Sequence, residues 1–181
     1  MLIAHISDFH VFAIAPETTI VRPDAADAAR KVVADIAAFT PKIQAVMFTG
    51  DMTDGGAADD YALLCDILSP LDVPVFMVPG NHDARLGLRV AFADTLPFGP
   101  GPFLNYEAQF GDARILALDT LWDGHIAGRL ENTQLSWLAE KLSTRHDGLT
   151  MILMHHPAFP SQMVPLDAMA LQDGHAEFER L

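Results

Sequence analysis

Carboxylates, imidazoles and one amide fall in short clusters along this chain, at Asp8/His10, Asp51, Asn81/His82/Asp83 and His155/His156. Such a donor set, without thiolates, suits hard or borderline divalent and trivalent ions such as Mn, Fe or Zn. Asp8 and His10, two apart on a segment read as extended, should point the same way and hold one ion together. Asp51 carries two oxygens and can bridge two ions. No serine or cysteine stands as an obvious nucleophile, and no glycine-rich phosphate loop is present. The chemistry these residues suggest is metal-assisted.

Each cluster follows a short apolar run. Leu2–Ile6 leads to Ser7-Asp8, Ala45–Phe48 to Thr49-Gly50-Asp51, Val75–Val78 to Pro79-Gly80-Asn81, and Thr150–Met154 to His155. Apolar runs stopped by Gly, Pro or polar residues read as buried strands ending in loops. Helical spacing separates them: Ala25 to Phe39 opened by Pro23-Asp24, then Tyr61, Leu64 and Leu68, then Arg85–Asp94, then Leu135, Leu138 and Leu142. Alternating helices and buried strands predict an α/β class with a largely parallel sheet, whose strand ends on one edge would bring the clusters together. Tyr106–Phe110 and Arg114–Leu118 flank Gly111-Asp112 as a hairpin, which predicts a mixed or second sheet. A Pro-containing loop then leads to a final helical stretch, His175–Leu181.

The 181 residues suit one domain, 1–181. The net charge of −13 argues against non-specific binding to nucleic acid or anionic membrane, while leaving a small phosphate ester open. A single cysteine, Cys65, excludes an intrachain disulfide framework and reads as core. The N-terminus has no basic region and carries Asp8, so it does not read as a signal peptide. No apolar run approaches the roughly 18 residues of a membrane span. A cytoplasmic location is the expectation.

Taken in order, Asp8-x-His10, Gly50-Asp51, Gly80-Asn81-His82-Asp83 and His155-x-Pro157 resemble the calcineurin-like metallophosphoesterases. Within that family the chain looks similar to bacterial class III cyclic-nucleotide and glycerophosphodiester phosphodiesterases. The stretches carrying the likeness are Ala4–Asp8, Gly128 through Gln134–Leu138, and Leu171–His175. The resemblance implies an α/β/β/α sandwich of mixed sheets flanked by helices, incomplete at the C-terminus. It implies that Asp8 and His10 bind a first metal, Asp51 bridges, and Asn81 and His155 bind a second. A metal-bound hydroxide would attack a small phosphodiester, such as 3',5'-cAMP or a glycerophosphodiester. His82 would serve as the catalytic group at the leaving oxygen, with Asp83 orienting it.

One element of the family pattern is missing. The family closes its site with a Gly-His-x-His element; here Gly174-His175-Ala176-Glu177 has Glu in the second place and no apolar strand is read before it. His175 reads as a helix start. The alternatives are therefore a homologue holding one ion and serving as an association module, or a phosphomonoesterase. An unpaired sheet edge predicts a homo-oligomer. Of the remaining histidines, His5 is expected to be packed in its strand and His156 to be partly exposed or to back the site.

Overall fold

The computed structural model describes residues 1–15 and 21–181. Its first half is a run of βαβ units: β1 (Ile3–Ile6), α1 (Ala25–Ala38), β2 (Ala45–Thr49), α2 (Ala58–Leu68) and β3 (Val75–Val78). The three strands form a parallel sheet in the order β1-β2-β3. Successive crossovers that step in one direction place both helices on one face, and α1 packs against α2. Central β2 is buried on both faces, which is why Ala45-Val46-Met47-Phe48 has no polar alternation. Asp24 stands at the N-cap position of α1, its carboxylate paired with Arg22 and making no capping hydrogen bond.

The second half builds a separate sheet. After α3 (Arg85–Phe92) the chain forms the hairpin β4 (Tyr106–Phe110) and β5 (Ala113–Ala117), antiparallel in register Tyr106↔Ala117. Gly111 takes the turn at a φ of 60°, where a side chain would be strained. A two-residue strand β6 (Gly128–Arg129) and helix α4 (Asn132–Ser143) follow, and β7 (Thr150–Leu153) then adds parallel to β5. The sheet is mixed, ordered β4-β5-β7.

Alternation along β5 joins two cores. Ile115 and Ala117 pack with Phe48, Met77, Val78 and the residues of α2 and α3, between the sheets and around the first one. Leu116 and the following Leu118 face the other way, onto Leu135 and Leu138 of α4. The result is helices, sheet, sheet, helix. The buried Tyr106 hydroxyl pins the sheets together, accepting from Met77 N–H at 2.9 Å and donating to Met77 O at 2.9 Å.

The C-terminal part differs from the sequence reading. The loop after β7 holds a one-turn helix, α5 (Val164–Asp167), and a strand, β8 (Leu171–Asp173), that pairs parallel with β6. A strand therefore does precede Gly174; it escaped notice because a three-residue element anchored by Leu171 alone has no periodicity. The final helix α6 is one turn, His175–Phe178, and does not run on to Leu181.

Candidate metal centre

The polar clusters converge, but across two sheets. Asp8, Asp51 and Asn81 follow β1, β2 and β3, whereas His155 follows β7 of the mixed sheet. A single parallel edge does not gather them; the stacking of the two sheets does.

Backbone pairing continues past the strand ends. Asp8 N–H donates to Gly50 O at 3.0 Å, His10 N–H to Asp51 O at 3.0 Å and Val11 N–H to Met52 O at 3.1 Å. Asp8, His10 and Asp51 have φ of 60°, 46° and 50°. Asp8 and His10 are thus left-handed loop residues and not neighbours on an extended segment, as their spacing suggested. Each such position costs about 1–3 kcal/mol outside glycine, and the paired loops hold it in place. Glycines permit the approach: a Cβ on Gly80 would collide with Asp51 Oδ1, and one on Gly50 would lie 2.6 Å from His155 Nδ1.

Asp51 is the centre of the arrangement. It is 4% exposed, and its Oδ1 accepts from His82 N–H at 2.9 Å. Its Oδ2 lies 3.5 Å from His10 Nε2 and 3.6 Å from His155 Nε2. His155 donates Nδ1–H to Thr49 O at 2.7 Å, which leaves the Nε2 lone pair facing Asp51. His10 Nε2 is 3.8 Å from Asp8 Oδ1 as well. The His10 imidazole holds the Asp8 carboxyl below its usual range against an opposing effect of burial, and Asp8 in turn raises His10.

Two groups of donors could each hold an ion: Asp8, Asp51 and His155, and His10, Asp54 and His82, with ligand atoms inside 4.8 Å of one another in each. The grouping differs from the expected one, which put Asp8 and His10 on the same ion, although His10 Nε2 faces both Asp8 and Asp51. The donors fit a hard or borderline cation, being carboxylate oxygens and imidazole nitrogens. Buried His10 Nδ1 has no hydrogen-bond partner, which a ring poised for coordination explains better than a packed one. Asn81 is half-buried on the turn between Gly80 and His82, the two residues whose peptide N–H groups bond Asp83 and Asp51.

Asp54 escaped the sequence reading. His82 donates Nδ1–H to Asp54 O at 3.1 Å, and Asp54 Oδ1 lies 3.3 Å from the same nitrogen and 3.6 Å from His10 Nδ1. Two imidazoles, His10 and His82, meet edge-on at a centroid distance of 4.6 Å with this one carboxylate behind both. The signal available was a second carboxylate three residues beyond Asp51 in the same loop.

Asp83 does not orient His82. It is buried and accepts from Met52 N–H (3.2 Å), Thr53 N–H (3.1 Å), Thr53 Oγ1 (3.2 Å), Gly80 N–H (3.0 Å) and the Tyr61 hydroxyl (3.3 Å). It staples the loops after β2 and β3 to α2. Burial pushes its carboxyl up, against backbone donors that pull it down.

Of the other histidines, His5 departs from expectation. His5 is exposed and shares a 2.8 Å hydrogen bond with Thr49 Oγ1, because β1 is an edge strand. His156 is buried to 2% exposure with Nδ1 2.7 Å from Thr120 Oγ1, and burial lowers its pKa to about 4. His175 opens α6, as its sequence context suggested, and belongs to neither donor group.

A family model described as calcineurin-like phosphoesterase matches residues 1–178. The chain is 29% identical over 96% of its length to a probable glycerophosphodiester phosphodiesterase of Arcobacter nitrofigilis, covering 63% of that protein. It is 31% identical over 95% of its length to a cAMP/cGMP dual specificity phosphodiesterase of Mycobacterium tuberculosis, covering 54% of it. It is 27% identical over its whole length to a 3',5'-cyclic adenosine monophosphate phosphodiesterase of Pseudomonas aeruginosa, covering 64%. A purple acid phosphatase from yellow lupin shares the fold, with a TM-score of 0.62, 17% identity, and coverage of 97% of this chain and 35% of that one.

The chain belongs to the calcineurin-like phosphoesterase family, whose members use divalent metals. It spans less than two thirds of the length of these curated relatives. No helix among the described residues is long and apolar enough to cross a membrane.

Proposed function

We propose that this chain is the metal-binding core of a phosphodiesterase acting on cyclic nucleotides or glycerophosphodiesters. The observation that carries the reading is the placing of Asp51 Oδ2 between the Nε2 atoms of His10 and His155. The names of the relatives point to the same substrates. In this reading Asp8, His10, Asp51, Asn81 and His155 are the ligands of a binuclear Mn, Fe or Zn centre, and residues 1–181 act as one domain.

Bound there, two ions would supply Lewis acidity toward phosphoryl oxygens and acidify a water. The chain does the rest. Asp51 is held by the His82 peptide, so its carboxylate is fixed before substrate arrives. Thr49 O fixes the His155 tautomer. His82 has its Nδ1–H tied to Asp54 O, so Nε2 is the nitrogen that faces the substrate, and from the imidazolium form its N–H would deliver a proton to the leaving oxygen, leaving the neutral Nδ1–H ring. Asp54 is a positioning residue for both His10 and His82.

The test is Mn(II)-dependent hydrolysis of bis(p-nitrophenyl) phosphate, with Asp51→Ala as control. The expected result is turnover in the parent and background in the variant. Equal rates in both, from protein shown to be folded, would overturn the reading.

A second reading is a metal-binding association module, which the open edge of the second sheet favours. Among the described residues β7 pairs with β5 alone, and Ile152 on that strand is 37% exposed. Open edges with apolar side chains invite pairing with a second chain. Light scattering at micromolar concentration should give a mass above the 19.7 kDa of one chain.

A further inference from the structure

His155 is the one member of the donor groups that comes from the second sheet, so its place depends on the turn that carries it out of β7. That turn has little backbone support. The ladder to β5 ends where Leu118 N–H donates to Leu153 O at 2.8 Å, and the next backbone pairing along the chain is Leu171 N–H to Pro157 O at 2.9 Å. Between these two, no backbone–backbone hydrogen bond is made among the described residues. The His155 ring has its bond to Thr49 O, but a single bond lets a ring pivot about it.

A buried neighbour supplies the rest. The His156 ring meets the His155 ring edge-on, with 4.8 Å between centroids and 84° between planes. His156 is in turn fixed from two sides. Its Nδ1 shares a 2.7 Å hydrogen bond with Thr120 Oγ1, which also accepts from the His156 peptide N–H at 3.4 Å. On another side Gly128 of β6 lies so close that a Cβ there would collide with the imidazole. Thr120 itself is fully buried, and its carbonyl accepts Arg129 N–H of the same β6 at 3.0 Å.

Neither Thr120 nor His156 belongs to a donor group. Burying a hydroxyl costs free energy unless it is hydrogen-bonded, and a valine of nearly the same shape would avoid that cost. The Thr120 hydroxyl is directed at His156 twice, once to the ring and once to the peptide. Two buried polar groups that satisfy each other against a candidate ligand make the rigid backing such a ligand needs.

We propose that Thr120 and His156 are positioning residues for His155, holding the turn after β7 so that His155 Nε2 stays facing Asp51 Oδ2. The proposal rests on the reading of His155 as a metal ligand and is independent of which ester is hydrolysed. The test is Mn(II) binding by isothermal titration to the parent chain, Thr120→Val, Thr120→Ser, His155→Ala and the double variant Thr120→Val/His155→Ala. Thr120→Val removes the hydroxyl and should weaken binding about 10–100-fold, the usual effect of altering a group that orients a ligand. Thr120→Ser restores the hydroxyl and should recover most of the loss. In the His155→Ala background Thr120→Val should change nothing further, because a residue acting through His155 has nothing left to position. Gly128→Ala pushes on the His156 ring directly and should weaken binding too, which keeps the test open if Thr120→Val fails to fold.

A loss of affinity in His155→Ala beside parent-like affinity in folded Thr120→Val or Gly128→Ala would overturn the proposal and leave the ligand reading standing. Equal losses from Thr120→Val with and without His155 would overturn it as well, showing a general loosening of the fold. Parent-like affinity in His155→Ala would remove the ligand reading and this proposal with it.

Discussion

The edge built from the loops after β1, β2, β3 and β7 and the segment from Pro157 to Leu181 are made to different standards. At the edge, one side chain often answers to several others: Asp83 accepts five hydrogen bonds, and Asp51 is fixed by a peptide N–H while facing two imidazoles. The C-terminal segment has two one-turn helices and a three-residue strand, and leaves Met163 and Val164 56% and 82% exposed. The difference teaches where this fold is over-determined. Among the described residues, three of the four left-handed non-glycine positions, Asp8, His10 and Asp51, lie at the edge, where neighbouring loops hold them, and the fourth, Gln162, lies in the tail; stability should be concentrated at the edge.

Breaking the edge should therefore cost far more than disturbing the tail. The largest stability effect is expected from Asp83→Ala, which leaves the buried N–H groups of Met52, Thr53 and Gly80 without their acceptor. A loss of roughly 3 kcal/mol or more in urea unfolding is expected. A loss below about 1 kcal/mol would show that the loops are held by something other than this carboxylate.

Asp54→Asn sharpens the comparison within the edge. It keeps the backbone carbonyl that holds His82 Nδ1 but removes the charge behind both imidazoles. Metal affinity or turnover should fall about 10–100-fold, the usual effect of altering a group that orients a ligand, with little change in unfolding. Isothermal titration with Mn(II) and steady-state rates would check it.

The smallest effect is expected in the tail. Val164→Ser, at an exposed position of α5, should shift the unfolding free energy by no more than about 0.5 kcal/mol. A larger shift, or a change in mass by light scattering, would mean that this apolar segment is covered in solution.

Legibility in the sequence follows the same division. The buried strands could be read because Ala45–Phe48 and Val75–Val78 are unbroken apolar runs stopped by polar or Gly-Pro punctuation. The hairpin was visible from Gly111-Asp112. The second sheet's partnership with β7 was not, since a parallel pairing between β5 and β7 leaves no local pattern. Asp83 was misread and Asp54 missed for one reason: both carboxylates sit in polar loops, and which one meets His82 depends on how two loops cross. Burial of single histidines was equally hidden. His5 is exposed because β1 is an edge, and His156 is buried because Gly128, without a side chain, lets it pack close.

Asp8, His10 and Asp51 occupy backbone that glycine would adopt without strain. For anyone engineering this chain, a library screened for heat tolerance alone would favour glycine at Asp8, the exposed one of the three, and discard a carboxylate of the donor groups in the process. Hardening has to come from places with no such conflict. The thin elements after β7 are where added contacts would leave the donor groups untouched.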